Sequence, residues 1–168
     1  KIFHIDYETY NSGAKYISYL LTPATVCLAI PLYRQISVLK EHAKEVFIGI
    51  LAGVLASMGS ILLMSYLFGL THEQYVTLLP KSITTAMGVS EELGGIQTIT
   101  VAVIIITGVL GNIIAEAVLK IFRIKEPVAK GLAIGTASHA IGTTKALEIG
   151  EIEGAMSSLS VAVAGLMT

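Results

Sequence analysis

The feature that most restricts this chain is a run from Val46 to Thr71, 26 consecutive positions without Asp, Glu, Lys or Arg. About 20 apolar helical residues match the roughly 30 Å hydrocarbon core of a bilayer, so the run is long enough to cross one. A second run, Leu93 to Ala115, has 23 such positions. A third, Tyr16 to Tyr33, has 18 and is interrupted by Pro23 and Pro31, which reads as a broken span. Composition agrees: 54% of the 168 residues are hydrophobic and 14% charged, against about 25% charge in an ordinary soluble domain. The pattern predicts an all-α integral membrane protein, a polytopic helical bundle forming one transmembrane domain over 1–168, multi-pass in the cell membrane. Because the chain begins at Lys1 and stops inside the apolar run Gly154 to Thr168, further spans are expected beyond one or both ends.

A net charge of −1 offers no basic face to neutralise phosphates, so nucleic acid is not an expected partner. Charge placement is more informative. Arg34, Lys40 and Lys44 precede the first long run, and Lys120, Arg123, Lys125 and Lys130 follow the second, whereas His72 to Glu92 has only Lys81 as a basic residue. The positive-inside bias therefore puts 34–45 and 120–130 on the cytoplasmic side and 72–92 partly on the other. Cys27 is the single cysteine, so it has no thiol partner within the chain and reads as a small packing residue.

Within the long runs the signals concern packing. Gly49, Gly53 and Ser57 recur every four residues, as do Ala52, Ala56 and Ser60, giving stripes along which another helix can approach closely. Asn112, Glu116 and Lys120 are also four apart, and the last two read as a snorkelling pair at the cytoplasmic boundary.

Two polar, glycine-rich stretches behave differently: Pro80 to Gly95 and Gly131 to Gly150. The second has only 14 uncharged positions, Gly131 to Thr144, which as helix rise about 21 Å and fall short of the bilayer. It is expected to dip in rather than to cross as one helix. At an offset of 54, Ala86, Gly88, Ser90 and Leu93 fall on Ala140, Gly142, Thr144 and Leu147, and Gly111 falls on Gly165. This predicts two repeat-like units, 80–115 and 131–168, entering from opposite faces as inverted repeats with interrupted segments, the usual pointer to a transporter site near the midplane.

Irregular backbone at membrane depth survives only where protein or water satisfies its N–H and C=O groups. Thr84, Thr85 and Ser90 from one unit, with Thr136, Ser138, Thr143 and Thr144 from the other, supply neutral hydroxyls, and Gly142 lets a ligand approach the backbone. That suits a small oxygen-rich solute, and a half-helix N-terminus beside the hydroxyls would attract a carboxylate. His139 is an ionisable group inside a short uncharged segment, a functional candidate that can change charge near physiological pH. The alternative is a neutral imidazole bonding a carbonyl to hold a bend. Lys145 is the candidate anion contact at the rim; His139, Glu148 and Asn112 are the candidates for coupling or gating. Glu151 and Glu153 read as a solvated loop. The four histidines lie in separate segments without ligand spacing, and no nucleophile–base motif is present, so neither a metal site, a cofactor nor an enzyme activity is expected.

TPATVCLAIPLY (22–33), the Pro80 to Gly95 stretch, and above all GTASHAIGTTKALEIGEIEGAMSSLSVAVAGLMT (135–168) closely resemble the LrgB/CidB family over nearly the whole chain. Members are polytopic bacterial membrane proteins described as antiholin-like or holin-like modulators of murein hydrolase activity and autolysis, usually encoded with a smaller LrgA/CidA membrane protein. Plant relatives include a plastidal glycolate/glycerate translocator, and some bacterial pairs are linked to pyruvate uptake. The shared run carries over onto Gly135, Thr136, Ser138, His139, Gly142, Thr143, Ala146, Leu147, Glu148, Gly150, Glu151, Glu153 and Gly154. Where many relatives have Ala-Arg, this chain has Thr144-Lys145, which keeps the charge and loses bidentate geometry.

Two functions follow as expectations. One is a transporter or facilitator for a small monocarboxylate of the pyruvate, glycolate or glycerate kind, as a homodimer, the default symmetric assembly, beside an LrgA/CidA-type partner. The other is a holin/antiholin-type module that oligomerises in the membrane and regulates murein hydrolase export or lysis, with the small-residue stripes as its working surfaces.

Overall fold

The computed structural model describes residues 12–13, 15–16, 19–79 and 92–167. Seven helices are defined: α1 (Leu21–Arg34), α2 (Ile36–Glu41), α3 (Ala43–Phe68), α4 (His72–Leu78), α5 (Gln97–Ile121), α6 (Pro127–Ile149) and α7 (Glu151–Met167). No strand occurs among the described residues. The two long uncharged runs become α3 and α5, both long and apolar enough to cross a membrane. In their most apolar windows only 22% and 11% is buried, so their hydrophobic surface faces outward, unlike a core helix of a soluble protein. The third run yields α1, 14 residues with Pro31 inside the helix and about 21 Å long, short of a span.

Local chemistry sets the ends. Gly69, at φ 61°, closes α3 in the left-handed conformation, with Leu70 N–H donating to the Ser65 carbonyl. Thr71 opens α4 with a reciprocal cap: the Gln74 N–H donates to its hydroxyl and the Thr71 N–H to the Gln74 side chain. Pro127 starts α6 at a position where its missing N–H costs nothing.

α6 is two arms, 127–138 and 140–149, separated at His139, whose φ 40° and ψ −140° are not helical. The arms reverse direction. A side-chain carbon at Gly142 would stand 3.1 Å from Ile134 Cγ2 and 3.3 Å from the Ile134 carbonyl, whereas eight residues of continuous helix separate atoms by about 12 Å. Ile134 and Ala146 share one apolar cluster with Ala115 and Leu119 of α5. Lys130 and Ile149, at the two ends of α6, line the same cavity. Thus the stretch expected to dip in folds as a helical hairpin with His139 at its tip.

Its neighbours give the depth. Ser138 and His139 lie against Gly111 and Gly108, on either side of the middle of α5. Thr136, one turn short of the tip, lies on Gly53 of α3, again near that helix's middle. The hairpin therefore inserts half-way along both long helices. α7 runs alongside, with Met156 against Gly131, Ser160 against Gly135, and Leu147 of the second arm against Gly154. The larger apolar core joins Val46 and Ile50 of α3, Val128 and Leu132 of the first arm, and Ala155, Met156 and Ala164 of α7. The basic ends assemble on one side of the molecule, where Arg34 stands 3.8 Å from Glu151 and the bases of both arms meet the end of α5.

Segment 80–91, the core of the first glycine-rich stretch, lies outside the described residues, and with it the proposed repeat. Its flanks are joined. The Ile96 N–H donates to the Thr77 hydroxyl at 2.9 Å, and the Thr100 hydroxyl donates to the Thr77 carbonyl at 2.9 Å.

Candidate functional site

The hairpin tip gathers polar groups that an apolar fold would otherwise exclude. Ser138, His139 and Thr143 from α6 are buried with Ser157 and Ser160 from α7. The Thr143 hydroxyl has one proton, which it donates to the His139 carbonyl at 3.0 Å. In its 2.8 Å contact with Ser157, Ser157 is therefore the donor. Ser160 in turn donates to the Ser157 carbonyl at 2.8 Å. A half-helix end leaves amides and carbonyls without intrahelical partners, so the tip brings the positive N-terminal end of the second arm and the carbonyl end of the first to the same depth as these hydroxyls.

Close approach of backbones makes this cluster possible. At Gly111 any Cβ would collide with the Ser138 side chain, standing 2.6 Å from its Cβ, and at Gly135 one would collide with Ser160 Oγ and stand 2.8 Å from Ser157 Cα. His139 itself occupies a positive-φ conformation that L-residues rarely adopt and that accumulates at functional sites.

The residues nearer the rim have structural partners. Asn112 Nδ2 donates to the Ile141 carbonyl at 3.1 Å and to the Thr144 hydroxyl at 3.0 Å, pinning the second arm to α5. Lys145 Nζ lies 2.8 Å from Glu116 and 3.1 Å from Glu148, so the expected anion contact already carries two carboxylates. Glu116 is also 3.9 Å from Lys120, the pair anticipated from spacing, but its shorter contact is with Lys145. Thr136 donates to the Leu132 carbonyl at 2.8 Å and faces α3 rather than the tip. The structure thus brings Ser138, His139, Gly142 and Thr143 together at the tip, and sets Thr144 and Lys145 of the second arm against Asn112 and Glu116 of α5, with Glu148 beside Lys145. Thr84, Thr85 and Ser90 lie outside the described residues.

Glu153 departs from the expectation of a solvated loop. It is buried in the first turn of α7, 3.5 Å from Lys130 of the first arm, while Glu151 is exposed. The difference arises because Gly150 reverses the chain at the base of the hairpin, turning Glu153 inward against it. Ser157 and Ser160 are members of the site that the sequence reading did not single out. Their signal was the Ser157-Ser158-Leu159-Ser160 cluster in an otherwise apolar helix, where hydroxyls need a partner. Among the described residues no group of three His, Cys, Asp or Glu side chains could hold a metal ion.

Comparison with known proteins bears on the whole chain. The chain is 41% identical over 168 residues to the uncharacterized protein YxaC of Bacillus subtilis (strain 168), covering 99% of this chain and 73% of that protein. It is 39% identical over 170 residues to proteins described as antiholin-like protein LrgB in Bacillus mycoides (strain KBAB4) and Bacillus cereus (strain B4264), covering 100% of this chain and 74% of each. No solved structure matches. The model of the LrgB-like family matches residues 1–168, which include both arms of the hairpin and the helix that packs on them, and so the chain belongs to the LrgB-like family.

Proposed function

We propose that this protein is a carrier for a small monocarboxylate of the pyruvate, glycolate or glycerate kind, with its site at the hairpin tip. The observation that carries the reading is the placement of His139 and Ser138 beside the middle of α5, buried together with Thr143 and the serines of α7. Polar side chains and broken helix at such depth are costly unless protein, water or a guest satisfies them, and broken helices at mid-depth are the usual pointer to a transport site. In this reading the hydroxyls and the N-terminal end of the second arm hold the carboxylate, and Thr84, Thr85 and Ser90 of the other glycine-rich stretch, which lie outside the described residues, are the further contacts proposed from the sequence. His139 couples a proton. Lys145, shared between Glu116 and Glu148, tethers the hairpin to α5 and reaches an arriving anion at the mouth when that tether opens. The test is uptake of labelled pyruvate, glycolate or lactate into proteoliposomes; no flux above empty vesicles overturns the proposal. A His139→Ala variant with the wild-type rate and pH profile removes the coupling role.

The second reading, a holin/antiholin-type module, is favoured by the description its relatives carry and by a groove of about 770 Å³ between α3 and the first arm. Both small-residue stripes of α3 line it, from Gly49 to Ser60. Part of one stripe is already used within the chain, since Gly49 lies on Leu132 and Gly53 on Thr136. An LrgA/CidA-type partner or a second copy would cover the rest. Vesicle leakage separates the two: a holin passes dye and protons without selection, and a carrier does not.

A further inference from the structure

A second, chemically different cavity lies at the base of the hairpin. It measures about 550 Å³ and is lined by Lys120, Arg123, Lys125 and Lys130, with Glu116 as the one carboxylate. Lys120 and Lys130 have carboxylate neighbours at 3.9 and 3.5 Å. Arg123 and Lys125 have no ion-pair partner among the described residues. Two cations left over after those pairs, in a cavity of a size typical of small-ligand sites, are more than a monocarboxylate needs.

The backbone at Arg123 is a separate observation. The end of α5 has the paired hydrogen bonds of a Schellman turn: Ile124 N–H donates to the Leu119 carbonyl at 2.9 Å and Arg123 N–H to the Lys120 carbonyl at 3.1 Å. The residue in the left-handed position of such a turn is usually glycine, as Gly69 is at the end of α3. Here it is Arg123, at φ 55°. The turn's apolar pair, Leu119 and Ile124, forms a wall of the cavity. An arginine standing where glycine is easier points to work for its guanidinium, whose planar fork matches phosphate oxygens.

We propose that this cavity binds a phosphate-bearing anion, gripped by Arg123 and Lys125, at the cytoplasmic boundary of the membrane. Two sources present that chemistry there: the headgroup of an anionic lipid and a phosphate solute. Exposed Ile121 and Phe122 beside the cavity suit a lipid, whose acyl chains would run along α5. Because Lys130 and Ile149 belong to opposite arms, an occupant closes the base of the hairpin.

The test is the thermal unfolding midpoint of the purified full chain in detergent, titrated with phosphatidylglycerol, with phosphatidylcholine, and with inorganic phosphate. The expected result is a rise with phosphatidylglycerol that phosphatidylcholine does not produce and that salt weakens. The Arg123→Gly/Lys125→Gln variant should lose about thirty-fold in apparent affinity, and Lys40→Gln, outside the cavity, should lose none. Arg123→Gly relaxes the turn, so that single variant should unfold no earlier than wild type without lipid while still binding lipid more weakly. A purely structural role for Arg123 predicts the opposite pairing. A rise with inorganic phosphate alone, lost in the double variant, assigns the site to a phosphate solute. The proposal is overturned if neither ligand raises the midpoint, or if the double variant responds as wild type does.

Discussion

Gly111 is where the hairpin tip is most sensitive to a single added carbon. In Gly111→Ala the new methyl would stand 2.6 Å from Ser138 Cβ and collide with the Ser138 hydroxyl, while Ser138 Cα is 3.7 Å away. Carbon pairs rest at about 3.5–4.0 Å, so the tip must retreat by roughly 1 Å, and rotating the hydroxyl away does not help because Cβ itself is in the way. Overpacking of this kind costs about 1–3 kcal/mol. The second-site series follows from the same distances. Ser138→Ala in the Gly111→Ala background removes the hydroxyl and keeps the short Cβ contact, so it recovers part of the loss. Ser138→Gly leaves only the 3.7 Å contact and recovers most of it. Equilibrium unfolding in mixed detergent micelles measures each step. The packing is refuted if Gly111→Ala unfolds with wild type, or if Ser138→Gly rescues no better than Ser138→Ala.

Three further outcomes are expected. His139→Gly should be more stable than His139→Ala by about 1–3 kcal/mol, because glycine tolerates φ 40°; in a continuous helix the order reverses by about 1 kcal/mol, so the sign of the difference in the same unfolding assay decides. Thr143→Val keeps the shape and removes the hydroxyl that joins Ser157 to the His139 carbonyl, so it should cost about 1–3 kcal/mol in unfolding free energy, and Thr143→Ser should cost less. Exchanging the charges as Glu116→Lys/Lys145→Glu should recover part of the stability that each single change removes in the same unfolding assay, since the two groups meet across helices at 2.8 Å; equal or additive losses in the double variant would contradict that pairing.

Much of the architecture was legible because bilayer thickness acts on sequence directly. Val46 to Thr71 and Leu93 to Ala115 became α3 and α5 through length and lack of charge alone. The hairpin was legible as a deficit: Gly131 to Thr144 is too short for a span and too rich in hydroxyls for a lipid face. What the residues could not announce was the reversal at His139, since positive φ is expected at glycine, and the nearest glycines are Gly135 and Gly142. Long-range partners were hidden for a different reason. Spacing rules reach only three or four residues along one helix, so they found Glu116–Lys120 and missed Lys145, which arrives from the second arm. Glu153 was misread and Ser157 passed over likewise, because their burial depends on where Gly150 turns the chain, not on their own neighbours in sequence.

The central claim is that α6 turns back on itself half-way along α5. With Cys27 replaced by alanine, spin labels at Ala129→Cys and Glu148→Cys, both exposed positions, report it directly by electron paramagnetic resonance. The hairpin predicts backbones about 10 Å apart, the spacing of packed helices. A separation of about 28 Å, that of 19 residues in one uninterrupted helix, would contradict it.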